Sequence, residues 1–241
     1  MKSGCTMADA LEREKQRCSI GETTMINAER QQCWGWMVAV YLYMAGMGGG
    51  IYFLSFALDG LGIYEKPARI GLLSGPALVL IGALISLADL GSKIKVYRLF
   101  SKPSTLLSSW MSRGAWILAA FIICGLVYAL PSSELLEWLP WNRSSGLVRG
   151  AGATAALLSL LVLVYPGFLF GVLRSIPIWH TATLPLLFFF SGLITGIAAL
   201  TLTGLFFPGT PTEYGFHLLR AGGIVLIFFL LIILGAYLVI G

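Results

Sequence analysis

Residues 34–58 read WGWMVAVYLYMAGMGGGIYFLSFAL, a stretch without one charged side chain. A helix rises about 1.5 Å per residue, so some 20 apolar residues cross the ~30 Å hydrocarbon core of a bilayer. The stretch is long enough to do so. Five more runs of the same character follow, at Arg69–Leu90, Gly114–Leu130, Gly150–Leu173, Thr183–Phe207 and Phe216–Ile240. The third is short and extends a little at its ends. Lipid offers no partner to a backbone N–H or C=O, so helices are the expected solution, and no β-barrel alternation competes. The fold class is therefore all-α: a polytopic transmembrane bundle of about six helices.

Composition agrees. Of 241 residues 57% are hydrophobic and only 11% charged, with a mean hydropathy of +0.85; soluble domains carry about a quarter charged residues. The net charge of +5 does not indicate nucleic acid, because the basic residues gather in the links between apolar runs. Residues 1–33 form a polar tail, as in Leu11-Glu12-Arg13-Glu14-Lys15-Gln16-Arg17. The tail has no apolar stretch of the kind a signal peptide needs, and reads as a short amphipathic helix on the membrane surface or against a partner. Residues 34–241 are the bundle.

Glycines recur at GxxxG spacing in Gly46/Gly50, Gly71/Gly75, Gly167/Gly171 and Gly192/Gly196. Such spacing lets helix backbones approach closely, and it reads as tight packing, not as a site. With six spans, one face collects Lys2, Arg13, Lys15, Arg17, Arg30, Lys93, Lys95, Arg98, Lys102, Arg113 and Arg174. The other has Lys66, Arg69, Arg143, Arg149 and Arg220. The positive-inside rule then places both termini in the cytoplasm.

Several chemistries are disfavoured. The cysteines Cys5, Cys18, Cys33 and Cys124 include no CxxC pair, so neither an iron–sulfur cluster nor structural zinc is expected. A bis-histidine haem needs two imidazoles on one iron. His180 precedes the fifth span and His217 opens the sixth, at opposite faces, so this chain is expected to hold no haem. Carriers place ionisable groups near the midplane, whereas Asp59 and Asp89 fall at helix ends and Arg220 lies about a turn inside its span.

One interface is richer. On the basic face Gln31, Gln32, Trp34 and Trp36 open the first helix, and Asp89 closes the second. Trp110, Arg113 and Trp116 open the third, Tyr165 lies late in the fourth, and Arg174, Trp179 and His180 fill the next link. Interfacial aromatics often form belts. An apolar pocket with a few convergent polar groups also suits a ring such as a quinone, with donors for its carbonyls and lipid for its tail. A carboxylate such as Asp89 would accept the quinol proton.

At these residues the chain resembles the NrfD / polysulfide reductase membrane-subunit family. The run from Trp36 through Tyr41-Leu42-Tyr43-Met44-Ala45-Gly46 to Gly50 is similar to the family's W-x-x-x-x-YLFLAG-x-x-x-G opening. Asp89-Leu90-Gly91 matches its DLG turn, and Met111-Ser112-Arg113-Gly114-Ala115-Trp116 its MSWGAW entry. Tyr165-Pro166-Gly167-Phe168-Leu169 resembles Y-T-G-F-L. Pro177-Ile178-Trp179-His180-Thr181, followed by Leu184-Pro185-Leu186-Leu187-Phe188, resembles PFWNT…LPLLF. Ser92-Lys93 stand where the family often has Arg-Pro, Arg113 where it has tryptophan, and His180 where it has asparagine.

The resemblance implies a haem-free membrane subunit that binds menaquinone or ubiquinone in its first four-helix bundle. Its partner would be a ferredoxin-like iron–sulfur subunit and, through that, a catalytic redox subunit. The setting implied is the prokaryotic inner membrane. Gln32, Trp36, Asp89, Arg113, Tyr165 and His180 become the candidate quinone residues, with Asp89 as proton acceptor. The family commonly has eight or more spans, so the second half is expected to be shortened. The competing reading is a small-solute transporter, or a structural anchor without a quinone site.

Overall fold

A computed structural model describes residues 36–89, 110–132, 145–172, 183–207 and 213–240. They form six helices: α1 (Trp36–Gly60), α2 (Glu65–Asp89), α3 (Trp110–Ala129), α4 (Gly146–Val172), α5 (Thr183–Phe206) and α6 (Glu213–Ile240). A 3-10 turn, Leu130–Ser132, prolongs α3. All six helices are long and apolar enough to cross a membrane. The polar tail expected over residues 1–33 lies outside the described residues.

Three helices begin a turn earlier than hydropathy suggests, α3 among them at Trp110 instead of Gly114, and α6 begins three residues early at Glu213. α2 starts at Glu65 instead of Arg69, and α4 at Gly146 instead of Gly150. An apolar window stops where charge begins, but a helix need not. Lys66, Arg69 and Arg149 are exposed at these ends, where long side chains reach the headgroup region from the first turn. Arg69 also meets Glu65 at 3.7 Å across one turn. Ser145 caps α4, its hydroxyl accepting the Val148 amide at 3.3 Å.

The α1–α2 corner closes with a Schellman motif. Gly62 N–H donates to the Asp59 carbonyl at 3.1 Å, and Ile63 N–H to the Leu58 carbonyl at 3.0 Å. Gly62 supplies the left-handed φ of +67° that this geometry requires. Tyr64 follows at φ +63°, unusual for a residue with a Cβ, and its ring is buried against Gly204 of α5 and Gly215 of α6. Burial of the ring offsets the backbone cost of roughly 1–2 kcal/mol. It also raises the Tyr64 phenol above its ordinary pKa.

α1 is the central helix, packed on α2, α4 and α5; α3 packs on α4 and α2, and α6 rests on α5. Glycines set these distances. A Cβ added to Gly75 would lie 2.8 Å from the Gly48 carbonyl oxygen, and one on Gly196 only 2.6 Å from the Gly50 carbonyl carbon. Thus α2 and α5 meet the central helix backbone to backbone, as close approach of membrane helices requires. One apolar cluster fills the space among α1–α4 around Tyr52, Leu72, Val79 and Phe121. Another joins α1, α2, α5 and α6 around Leu58, Tyr64, Ile197, Leu200 and Leu219. Several Ser and Thr hydroxyls bond back to their own helices, as Ser159 does to the Ala156 carbonyl at 2.7 Å. α6 is peripheral, with only 6% of its span buried against 28–44% for the other five helices. Its exposed face is the bulky apolar surface that lipid solvates.

Candidate functional site

The helices alternate in direction, and side-chain contacts fix which ends meet. Gly82 of α2 faces Tyr41 and Met44 of α1, Gly114 of α3 faces Tyr165 of α4, and Gly167 of α4 faces Pro185 of α5. The first residues of α1, α3 and α5 therefore share an end with the last residues of α2 and α4.

At this end a crevice opens among α1, α3 and α4, lined by Tyr41, Ala45, Gly114, Ile117, Leu118, Val162, Tyr165 and Pro166. Two phenols stand in walls that are otherwise apolar. The Tyr165 ring lies directly on Gly114, where no Cβ could share the space, and its hydroxyl is hydrogen-bonded to the Gly114 backbone. Pro166, inside α4, has no N–H to offer the Val162 carbonyl one turn earlier. That carbonyl thereby loses its helical partner on the wall where Val162 and Pro166 meet the crevice. The crevice thus presents two phenols in an apolar setting that excludes water.

Its free space is about 210 Å³, counted with the open mouth, and no part is wide enough for a water molecule. Ligand pockets commonly measure roughly 300–1,000 Å³. A ring would enter only if a side chain moved. Tyr165 is the side chain at hand, since it fills the space above a glycine and is only half-buried.

Not all the residues singled out in the sequence meet here. Tyr165 lines the crevice. Arg113 is half-buried in the first turn of α3, beside Gly114. Trp36 opens α1 but is 71% exposed, and it stands roughly 140° around the helix from Tyr41. Trp116 is 40% exposed. Asp89 ends α2 at this same end, seven residues and roughly 10 Å beyond Gly82; the placement of its side chain lies outside the described residues, as do Gln32, Trp34, Trp179 and His180. Tyr41 is the residue that sequence reasoning passes over. It stands with Tyr43 on either side of Leu42, and only helix phase separates an inward tyrosine from one that is 58% exposed. A signal was available: Tyr41, Ala45 and Gly48 follow the i, i+4, i+7 spacing of a buried stripe.

Residues 24–241 match the family described as Polysulphide reductase, NrfD. The chain belongs to the NrfD family. It is 30% identical over 194 residues to the C subunit of polysulfide reductase from Wolinella succinogenes, covering 75% of this chain and 61% of that protein. It is 28% identical over 184 residues to protein NrfD of Escherichia coli, covering 68% of this chain and 57% of that one. The chain thus spans about three-fifths of the length of the relatives it matches. Family membership and six spans make it a multi-pass helical membrane protein. The motifs that carry this NrfD resemblance also build the crevice. Tyr41 comes from the YLYMAG run, Gly114 from MSRGAW, and Tyr165 and Pro166 from YPGFL.

Proposed function

We propose that this NrfD-family chain is the quinone-binding membrane subunit of a multi-subunit oxidoreductase. It would anchor the complex in the prokaryotic inner membrane and exchange electrons with a docked iron–sulfur subunit. The observation that carries the reading is the convergence of Tyr41 and Tyr165 on one apolar crevice at the end of the first four helices.

The donor set suits a quinone head, because phenol hydroxyls donate to its carbonyls while Ala45, Ile117, Leu118 and Val162 exclude water. When bound, menaquinone or ubiquinone supplies two-electron, two-proton chemistry. The chain itself binds and orients. Tyr165 leaves Gly114 to admit the ring, and its freed hydroxyl and that of Tyr41 fix the ring's position. Asp89, at the same end, takes the proton towards the membrane surface. The same surface, rich in basic residues, is where the iron–sulfur subunit docks and passes electrons to its catalytic partner. The charge bias of the sequence supports a cytoplasmic position for both termini and for this face.

Purification of the tagged chain from native membranes in mild detergent tests the reading. A stoichiometric iron–sulfur protein is expected to co-purify, with quinol-dependent reduction of its clusters that a bound quinol analogue inhibits. A chain that purifies alone and binds no quinol analogue would instead support a transporter or a plain anchor.

A further inference from the structure

A second set of ionisable and hydroxyl side chains meets at the opposite end of the bundle. Tyr128 of α3 donates its hydroxyl to Oδ2 of Asp59, near the end of α1, at 2.8 Å. The Tyr128 ring is buried, rests on Gly152 of α4 and meets Phe56 edge-on at 5.4 Å. Tyr52 stands seven residues before Asp59. That is almost two turns, so the two share a face of α1 and Tyr52 lies roughly 10 Å deeper. Tyr52 is 0% exposed, and its hydroxyl has no hydrogen-bond partner among the described residues, although Tyr128, Cys124 and Asp59 all lie within its electrostatic reach. Its ring is held firmly, edge-on to Phe121 at 5.2 Å and against Gly125.

The Tyr128–Asp59 bond alone would be an interhelical clamp. Tyr52 argues for more. A buried hydroxyl without a partner is costly, and phenylalanine would fill the same space. Ionisable groups inside membrane bundles likewise persist where they are used. Water entering from this end of the bundle would supply the bridging partner that the Tyr52 hydroxyl lacks.

We propose that Asp59, Tyr128 and Tyr52 form a proton-exchange site, served by water from the end of the bundle opposite the tyrosine crevice. The Asp59 carboxylate takes one proton from water at that end and becomes a carboxylic acid. Tyr128 holds it in place, the Tyr52 hydroxyl shares the proton through the bridging water, and the proton returns by the same route. No electron moves. Among the described residues the other charges at this end are outward. Glu65, Lys66 and Arg69 of α2, Arg149 of α4, and His217 and Arg220 of α6 are exposed, and Glu65 is paired with Arg69. Cys124 is the remaining titratable neighbour on α3. The site does not depend on the quinone reading.

Infrared difference spectra of the purified full chain, stepped between acidic and alkaline pH in H2O and D2O, test the proposal. Among the carboxylic C=O bands that appear at acidic pH, one is expected that shifts in D2O and is lost in Asp59→Asn. Tyr128→Phe and Tyr52→Phe should both displace it, and Tyr165→Phe at the other end should not. Tyr52→Phe is also expected to keep or raise the Tm, because it removes an unpartnered hydroxyl. A clamp does not produce that combination. A band insensitive to Tyr52→Phe, no titrating band that depends on Asp59, or equal displacement by Tyr165→Phe would each overturn the assignment.

Discussion

Gly114→Ala puts one methyl group where the Tyr165 ring now lies. The added carbon would overlap the ring and hydroxyl of Tyr165, the far end of a side chain that can rotate. Tyr165 must therefore leave its seat and lose its bond to the Gly114 backbone. Overpacking of this kind costs about 1–3 kcal/mol. Because Tyr165 must leave this seat to admit the ring, removing the seat favours the open crevice, and a bias of about 0.5–1.5 kcal/mol corresponds to roughly a 2- to 10-fold tighter affinity. Gly150→Ala is the control, because nothing lies within 4 Å of its added Cβ. On an exposed helix, Gly→Ala should be stabilising by about 0.5–1 kcal/mol. The assay is titration of the purified complex with a fluorescent quinol analogue, run beside thermal unfolding. Gly114→Ala is expected to gain affinity while Gly150→Ala does not. If both variants bind and melt alike, Tyr165 is not held by Gly114 and the site reasoning fails.

Tyr41→Phe and Tyr165→Phe should each weaken analogue binding roughly 2- to 10-fold; a double variant no weaker than one single would show that only one phenol contacts the ligand. Gly196→Ala drives a Cβ into the α1 backbone at Gly50 and Ile51, which cannot yield, so a loss of about 1–3 kcal/mol in detergent unfolding is expected. Gly235→Ala meets nothing and should be stabilising by up to about 0.5–1 kcal/mol, as at Gly150. Gly62→Ala, at φ +67°, should cost roughly 1–2 kcal/mol in the same assay. Burial raises the Tyr64 phenol, so the folded chain holds that proton more tightly than the unfolded one. The stability this contributes is complete below about pH 10 and lost as pH rises further. Tyr64→Phe should flatten that alkaline decline, measured as Tm against pH.

Membrane insertion, helix number and helix type follow from the sequence by itself. Each needs only the length of an uncharged run and the impossibility of unpaired backbone in lipid. Residues 34–58 already contain that argument, and the GxxxG pairs mark where backbones meet. Charge misplaces the ends of α2 and α4 by a turn, because hydropathy registers Lys66 and Arg69 but not the capacity of their side chains to reach water. The site was legible in part. The motifs holding Tyr165 and Gly114 stand out in the chain, and Tyr165 reaches the crevice. Trp36 belongs to the same opening motif but turns outward.

Tertiary structure alone decides which tyrosine of a neighbouring pair faces inward and which glycine lies beneath a ring. It also decides that Asp59, an ordinary helix-end carboxylate in the sequence, accepts a bond from Tyr128, 69 residues away. The physical reason is range. Helix formation is local, and insertion depends on a segment's own apolarity. A site depends on rotational phase and on contacts between helices far apart in the chain, which backbone approach at glycines such as Gly50 and Gly196 fixes only once the bundle has packed.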